Sequence, residues 1–398
     1  MNTLKTLLFE FISLAFLGCT TTPGLEVNIS NKIDIARNGE VIEIDLKEII
    51  PLLQGFTAEE LIVKDGNTNQ ILLSQLIDLD EDGSFDQLIF QADFLPLEKK
   101  NFHIEGITGE VVMPNSSIST YARFVPERID DFAWENDKVA FRTYGPKAQK
   151  ITESGEPGGT LTSGIDCWLK KVDYPIINKW YKQDLEEGKS YHADHGEGLD
   201  NYHVGDSRGT GGIGIWEDSA LFTSKNFVSW KILANGPIRS TFVLDYGAWD
   251  ANGIKVKESK RISIDLGSNL YKCTLLLSNY TELPNISLGI TLHEKKGTVF
   301  SDVEKGWFSY LEPLEDSELF TALVVDPAII KEFIDYRVNT PDLSNLLVVC
   351  EPKAEFTYYA GFTWEKSNQF TFPEGFKAYL ENYAQRISSP LSLEILNN

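Results

Sequence analysis

The chain has 398 residues, and 59 acidic side chains against 36 basic ones give it a net charge of −23. Nucleic acid is a poor partner for such a surface, because binding it needs a basic footprint. A local basic pocket can still hold an anionic sugar. Of the four cysteines, Cys167, Cys273 and Cys350 show no Cys-x-x-Cys spacing and read as buried free thiols. A disulfide framework or zinc ribbon is excluded.

The N-terminus reads as an address. Lys5 supplies a positive end, and Leu7 to Leu17 an apolar run of signal-peptide length, too short to span a bilayer, which takes about 20 residues. The run ends Phe16-Leu17-Gly18-Cys19, a small residue before cysteine, as lipoprotein processing requires. Residues 1–19 are therefore expected to be a lipoprotein signal peptide, with Cys19 lipidated and becoming the mature N-terminus. The implied location is the periplasm or outer membrane, with the anchor as the only membrane contact. Thr20-Thr21-Thr22-Pro23 lacks an acidic export cluster, which favours the periplasmic face.

After this tether, Val41-Ile42-Glu43-Ile44-Asp45-Leu46 and Gln87-Leu88-Ile89-Phe90 alternate as strands do. Residues 24–115 are expected to form a small N-terminal β-domain, ending at the polar break Asn115-Ser116-Ser117. Residues 120–398 form the larger domain. Strand patterns recur there at Lys138–Tyr144, Ser240–Tyr246, Arg261–Leu266, Tyr271–Leu277, Leu288–Leu292 and Phe320–Val325. Helical spacing is confined to Cys167–Glu187, Ala328–Tyr336 and a C-terminal segment with Phe376, Leu380, Tyr383 and Ile387 on one face. The expected fold is mostly β, a sandwich with few helices. The 12% aromatic content suits sugar stacking, although sandwich cores use the same side chains.

One stretch stands apart chemically. Residues 191–208 hold three of the five histidines, His192, His195 and His203, with Tyr191, Tyr202, Arg208 and four carboxylates. Gly196, Gly198 and Gly205 mark it as a loop, where sites are commonly built. Histidine moves protons near neutral pH, so the loop is a candidate catalytic or binding site. The three imidazoles could instead ligate a metal, but no helical His-x-x-x-His frame supports that.

Two further stretches carry chemistry. Arg123 to Pro146 interleaves arginines, carboxylates and aromatics. In it, Arg142 and Tyr144 either face the histidine loop or belong to a buried network bracing two sheets, and for Arg123, Glu127, Arg128 and Asp131 the bracing role is preferred. Asp78, Asp80, Asp82 and Asp86, with Gly83, resemble the first half of a calcium loop. Its twelfth position is Ile89, not glutamate, so a polar hairpin tip explains it equally well.

Val-Pro-Glu-Arg (125–128), Asp-Asp-Phe-Ala-Trp-Glu-Asn-Asp (130–137), Phe-Arg-Thr-Tyr-Gly-Pro (141–146) and Gly-Ile-Asp-Cys-Trp (164–168) resemble a Bacteroidetes lipoprotein family known as a domain of unknown function. So do the histidine loop and Arg261 to Ser268. Members of this family are associated with pectin and ulvan utilisation and resemble uronic-acid oligosaccharide dehydratases. The resemblance covers the mature chain. It implies a galactose-mutarotase-like β-sandwich behind a small β-domain, and a carbon–oxygen lyase that eliminates water across C4 and C5 of a terminal uronic acid.

That chemistry needs the uronate carboxylate neutralised, a base at C5 and a proton for the departing oxygen. His195, Tyr202 and His203 are the acid/base candidates. Arg208 and Arg142 are the carboxylate grips, with Tyr144, His192 and Trp168 as further substrate contacts. The expected partner is an acidic oligosaccharide, and no cofactor is implied save a structural calcium. A polysaccharide lyase, a glycoside hydrolase, a mutarotase or isomerase and a non-catalytic glycan-binding lipoprotein remain open alternatives.

Overall fold

The computed structural model describes residues 24–396 apart from 54 and 108, so Cys19 and the signal peptide lie outside the described residues. The expected mostly β architecture is present. Two small sheets come first. One orders its strands Ser392–Leu396, Gly24–Ser30, Lys99–Gly106 and Leu61–Asp65; the other orders Arg37–Asp45, Gln87–Phe94 and Ser74–Ile77. Their alternating apolar faces, with Val27, Ile29, Ile44, Phe90, Phe102 and Ile104, close on one another as a core.

The first of these sheets departs from expectation. Ser392–Leu396, expected inside the larger domain, pairs antiparallel with Gly24–Ser30. The reason lies in its side chains, because Leu393 and Ile395 pack on the N-terminal core.

The larger part is a sandwich. An eight-stranded antiparallel sheet forms one layer. Opposite it lie two five-stranded sheets, joined where Ile165 bridges Gly209 in parallel. Gly209 is required at that seam: its φ is +58° and a Cβ would overlap the Ile165 carbonyl. Trp134 and Phe141 from one five-stranded sheet meet Phe242, Tyr271 and Phe362 of the eight-stranded sheet. The three thiols are buried and unpaired.

Two helical expectations fail. Cys167–Glu187 divides into a strand, Asp166–Lys170, and a helix, Ile177–Glu187. Pro175 stands between them, and a proline fits the approach to a helix but not its interior. Ala328–Tyr336 becomes a single turn and the strand Ile330–Tyr336, paired along Asn345–Cys350. Asp326 caps only that one turn, with Pro327 at its start, and beyond it sheet pairing overrides the helical spacing. The C-terminal helix forms at Glu374–Ser388 and buries Phe376 and Leu380.

Candidate active site

Strand alternation sends half of the Asp131–Glu135, Ala140–Thr143 and Asp166–Lys170 side chains into the sandwich and half outward. The outward half is also covered, by the Ile177–Glu187 helix and the chain around Tyr191. This second layer is polar. At one end Lys170 and Glu135 pair at 2.9 Å, both fully buried. Glu135 also accepts the backbone N–H groups of Ile176 and Ile177 at 2.9 and 3.0 Å, so a sheet residue caps a helix with no capping side chain of its own.

At the other end sits Arg142. Its guanidinium donates to Asp166 Oδ2 at 2.6 and 3.0 Å, to Asp200 Oδ2 at 2.8 Å and to the Tyr191 hydroxyl at 3.1 Å. Asp131 lies 3.6 Å away and accepts from the Tyr181 hydroxyl. Arg128 also donates to Tyr191. Burial pushes Asp131 up to about 6 against the pull of Arg142. It raises Asp166 and Asp200 as well, and in Asp200 the neighbouring Asp166 charge adds to it. The Oδ1 atoms of all three lack a partner. Three carboxyls around two guanidiniums in so dry a place resist full ionisation.

Several residues expected to meet substrate are spent here. Arg142 is only 4% exposed. The Tyr144 hydroxyl donates to Asp166. Trp168 is fully buried, stacked against Trp180 and beneath Arg142. These side chains shape the site without facing it. The bracing role, preferred from sequence for Arg128 and Asp131, is the one the geometry shows.

The histidine loop is spread out along the sandwich rim. His192 sits on the Arg142 cluster: its Nδ1 is 2.6 Å from the Asp200 carbonyl and 3.6 Å from Asp200 Oδ2. The imidazole is nevertheless 59% exposed. A carbonyl only accepts, so Nδ1 carries the proton and Nε2 keeps its lone pair for solvent. His195 is exposed, with Nε2 on the Ser190 carbonyl. His203 lies further along, 3.2 Å from Asp342.

Tyr202 and Arg208, expected in the site, lie inside the sandwich. The Tyr202 hydroxyl accepts from Thr210, and burial drives its pKa well up. Arg208 donates to the Ser163 and Thr162 hydroxyls and to the Ile213 and Asp206 carbonyls. Burial lowers its guanidinium to about 10. Both follow a backbone that turns inward at the Gly209 seam, a tertiary feature invisible in the loop's composition.

Beside His192 opens a cavity of about 450 Å³. Asn201, Ser317, Trp364 and Lys366 line it with His192. Asn201 Oδ1 is buried without a partner, and Lys366 pairs with Asp316 at the rim. Sequence reasoning missed Trp364 and Lys366, which come from a distant strand end with no motif around them.

His293 was also missed. Its Nδ1 meets Glu312 at 2.8 Å and its Nε2 the His203 carbonyl at 2.7 Å, while Tyr202 packs edge-on against the ring. Burial alone would lower its pKa, but Glu312 and that carbonyl hold it above the ordinary value. The ion pair is therefore fully formed below the unfolded pKa of about 6.5 and weakens as pH rises through the folded value. The melting-temperature gap between the native protein and His293→Gln should be widest below pH ~6 and shrink in alkali. A gap constant with pH would refute the pair.

The calcium candidate is a hairpin tip between Ser74–Ile77 and Gln87–Phe94. Carboxylate oxygens of Asp78, Asp80 and Asp86 lie within 4.8 Å of one another. Asp82, expected with them, caps the Ser84 backbone instead, and Lys47 already pairs with Asp86 at 3.1 Å. Chelation should leave turnover unchanged. Calcium should raise only the melting temperature, an effect that Asp86→Asn removes. His192, His195 and His203, considered from sequence as metal ligands, do not gather into a metal-ligand group among the described residues.

Fold and site together define a β-sandwich protein with a buried arginine–aspartate layer under a histidine-bearing cleft. The chain belongs to the family DUF4861, a domain of unknown function, whose model matches residues 29–393. It is 42% identical over 371 residues to the uncharacterized protein P7 of Formosa agariphila, with 93% of each chain covered. Among solved structures, a glycosyl hydrolase family 38 protein from Enterococcus faecalis superposes with a TM-score of 0.52 at 9% identity, over 95% of this chain and 48% of that one. An alpha-mannosidase from Enterococcus faecalis V583 gives 0.46 at 9% identity, over 94% and 46%. This chain thus spans about half the length of either structure, and at such identity the likeness concerns fold alone.

Proposed function

We propose that the protein is a carbohydrate-active carbon–oxygen lyase, a dehydratase acting on a terminal uronic acid of ulvan- or pectin-derived oligosaccharides. The observation that carries this reading is His192: an exposed imidazole with a fixed tautomer, backed by a buried carboxyl cluster and open to an oligosaccharide-sized cleft. Nε2 takes the C5 proton, the C4–O bond breaks as the C4=C5 bond forms, and the departing oxygen leaves as water after gaining a proton. Lys366, released from Asp316, is the cation that meets the uronate carboxylate, in place of Arg142 and Arg208. His195 lies outside the cleft lining, with Nε2 on the Ser190 carbonyl, so the leaving oxygen takes its proton from solvent water in the open cleft.

The glycoside hydrolase alternative needs one carboxyl raised as an acid. In the cleft, Lys171 and two backbone N–H groups outweigh burial and hold Asp194 low, while Lys366 does the same for Asp316. Neither is poised as an acid. The test is ultraviolet absorbance of the new C4=C5 bond over a panel of uronate oligosaccharides. Growth of that band without cleavage supports dehydration; reducing ends released without it would establish hydrolysis instead.

A further inference from the structure

A second cavity, of about 740 Å³, lies elsewhere, between the N-terminal sheets and the sandwich. Its floor is the outer face of the eight-stranded sheet, where Ser263, Lys272 and Tyr359 form one cross-strand row. Arg37–Asp45 makes one wall, and the Glu374–Ser388 helix, with Asn382 and Tyr383, makes the other. In a chain of net charge −23, acids would be expected to dominate such a cleft. They do not, because each is already matched. Glu40 is held by Arg37 and Arg386, and Glu43 and Asp265 share Arg239. Lys272 is the cation without a close partner: it is half-buried and makes no direct ion pair among the described residues, although with Arg239 its charge helps hold Glu43 low.

We infer that this cleft is a second, non-catalytic saccharide site that takes a uronate unit of an acidic oligosaccharide. An ammonium on a sheet floor, with no carboxylate in direct contact, suits a carboxylate as a point charge. The neighbouring Tyr359 offers an apolar ring with a polar tip, and the amides of Asn38 and Asn382 on the two walls suit sugar hydroxyls. The volume lies within the range of small-molecule sites, and interfaces between structural units are where such sites gather. No histidine lines the cleft and its carboxylates are all ion-paired, so it binds without turning over. The inference shares its ligand class with the proposed function but does not depend on elimination.

Calorimetric titration of the full chain in a His192→Ala background, where turnover is removed, tests it. The probes are trigalacturonate and triglucuronate, with neutral galactotriose as control. Expected is a binding event for at least one acidic probe that Lys272→Ala weakens at least about tenfold, the worth of one charge-assisted contact. Asn382→Trp, which fills the cleft from an exposed helix position, should abolish it. Acid-sugar binding indifferent to both substitutions, equal binding of galactotriose, or no binding of either acidic probe would overturn the inference. Lys272→Ala alone should keep native elimination rates. Absence of elimination with binding retained would remove the proposed function and leave this site standing.

Discussion

His192→Ala should lower the elimination rate by about 100- to 10,000-fold, the range for loss of a positioned acid or base. The loss should fall mainly on kcat, because the proton is in flight only in the transition state. The fold should not suffer: the ring is largely exposed, and surface changes usually stay within about 0.5 kcal/mol. Asp200→Asn is the companion variant. It keeps the carbonyl that fixes the His192 tautomer and alters only the carboxyl 3.6 Å behind the ring, so it should cost less in rate than His192→Ala. Tyr202→Phe and Arg208→Ala, which act inside the sandwich, should change melting before they change kcat. A folded His192→Ala protein with near-native turnover would move the chemistry out of the cleft.

Arg142→Met should be the most destabilising single substitution near the site, at about 3–5 kcal/mol. It leaves Asp166 and Asp200 buried without their counter-charge, a cost far above what the pair contributes over an apolar replacement. Arg142→Lys should recover little, because an ammonium cannot fork to two carboxylates and a hydroxyl at once. The sign of the pH dependence follows from the carboxyls. Their folded pKa values are already raised, so the folded state holds protons that the unfolded chain releases above about pH 4. Stability from this cluster therefore falls as pH rises toward 6, and the Arg142→Met deficit should be smaller at pH 5 than at pH 7. Denaturant unfolding at both values reads this directly. A deficit below about 1 kcal/mol at pH 7 would mean that the guanidinium is dispensable.

Much of the architecture was legible because strands advertise themselves by alternation. Gln87–Phe90 and Arg261–Leu266 needed only a period of two to be placed. The buried arginine layer was half legible: Arg142 and Asp166 stood in recognisable motifs, but their mutual contact is a cross-strand register pair, and register is not written in either segment alone. The histidine loop was legible as chemistry and illegible as geometry. Composition gathered His192, His195, Tyr202, His203 and Arg208 into one stretch, whereas a single glycine seam sends two of them inward. Lys366 and Trp364 had no local signal, since a cleft wall from a remote strand end is defined only by folding.

The pairing of Ser392–Leu396 with Gly24–Ser30 has a consequence for the order of assembly. Synthesis from the N-terminus delivers the first strand long before its partner exists, so that strand waits with an open hydrogen-bonding edge while the whole sandwich is made. Closing contacts across such a sequence separation is slow, and an unpaired edge is a template for pairing with other chains. The N-terminal unit is thus early in sequence and late in completion. Limited C-terminal clipping that removes Leu393 and Ile395 should reopen the edge, and the damage would surface as self-association through the opposite end of the sequence.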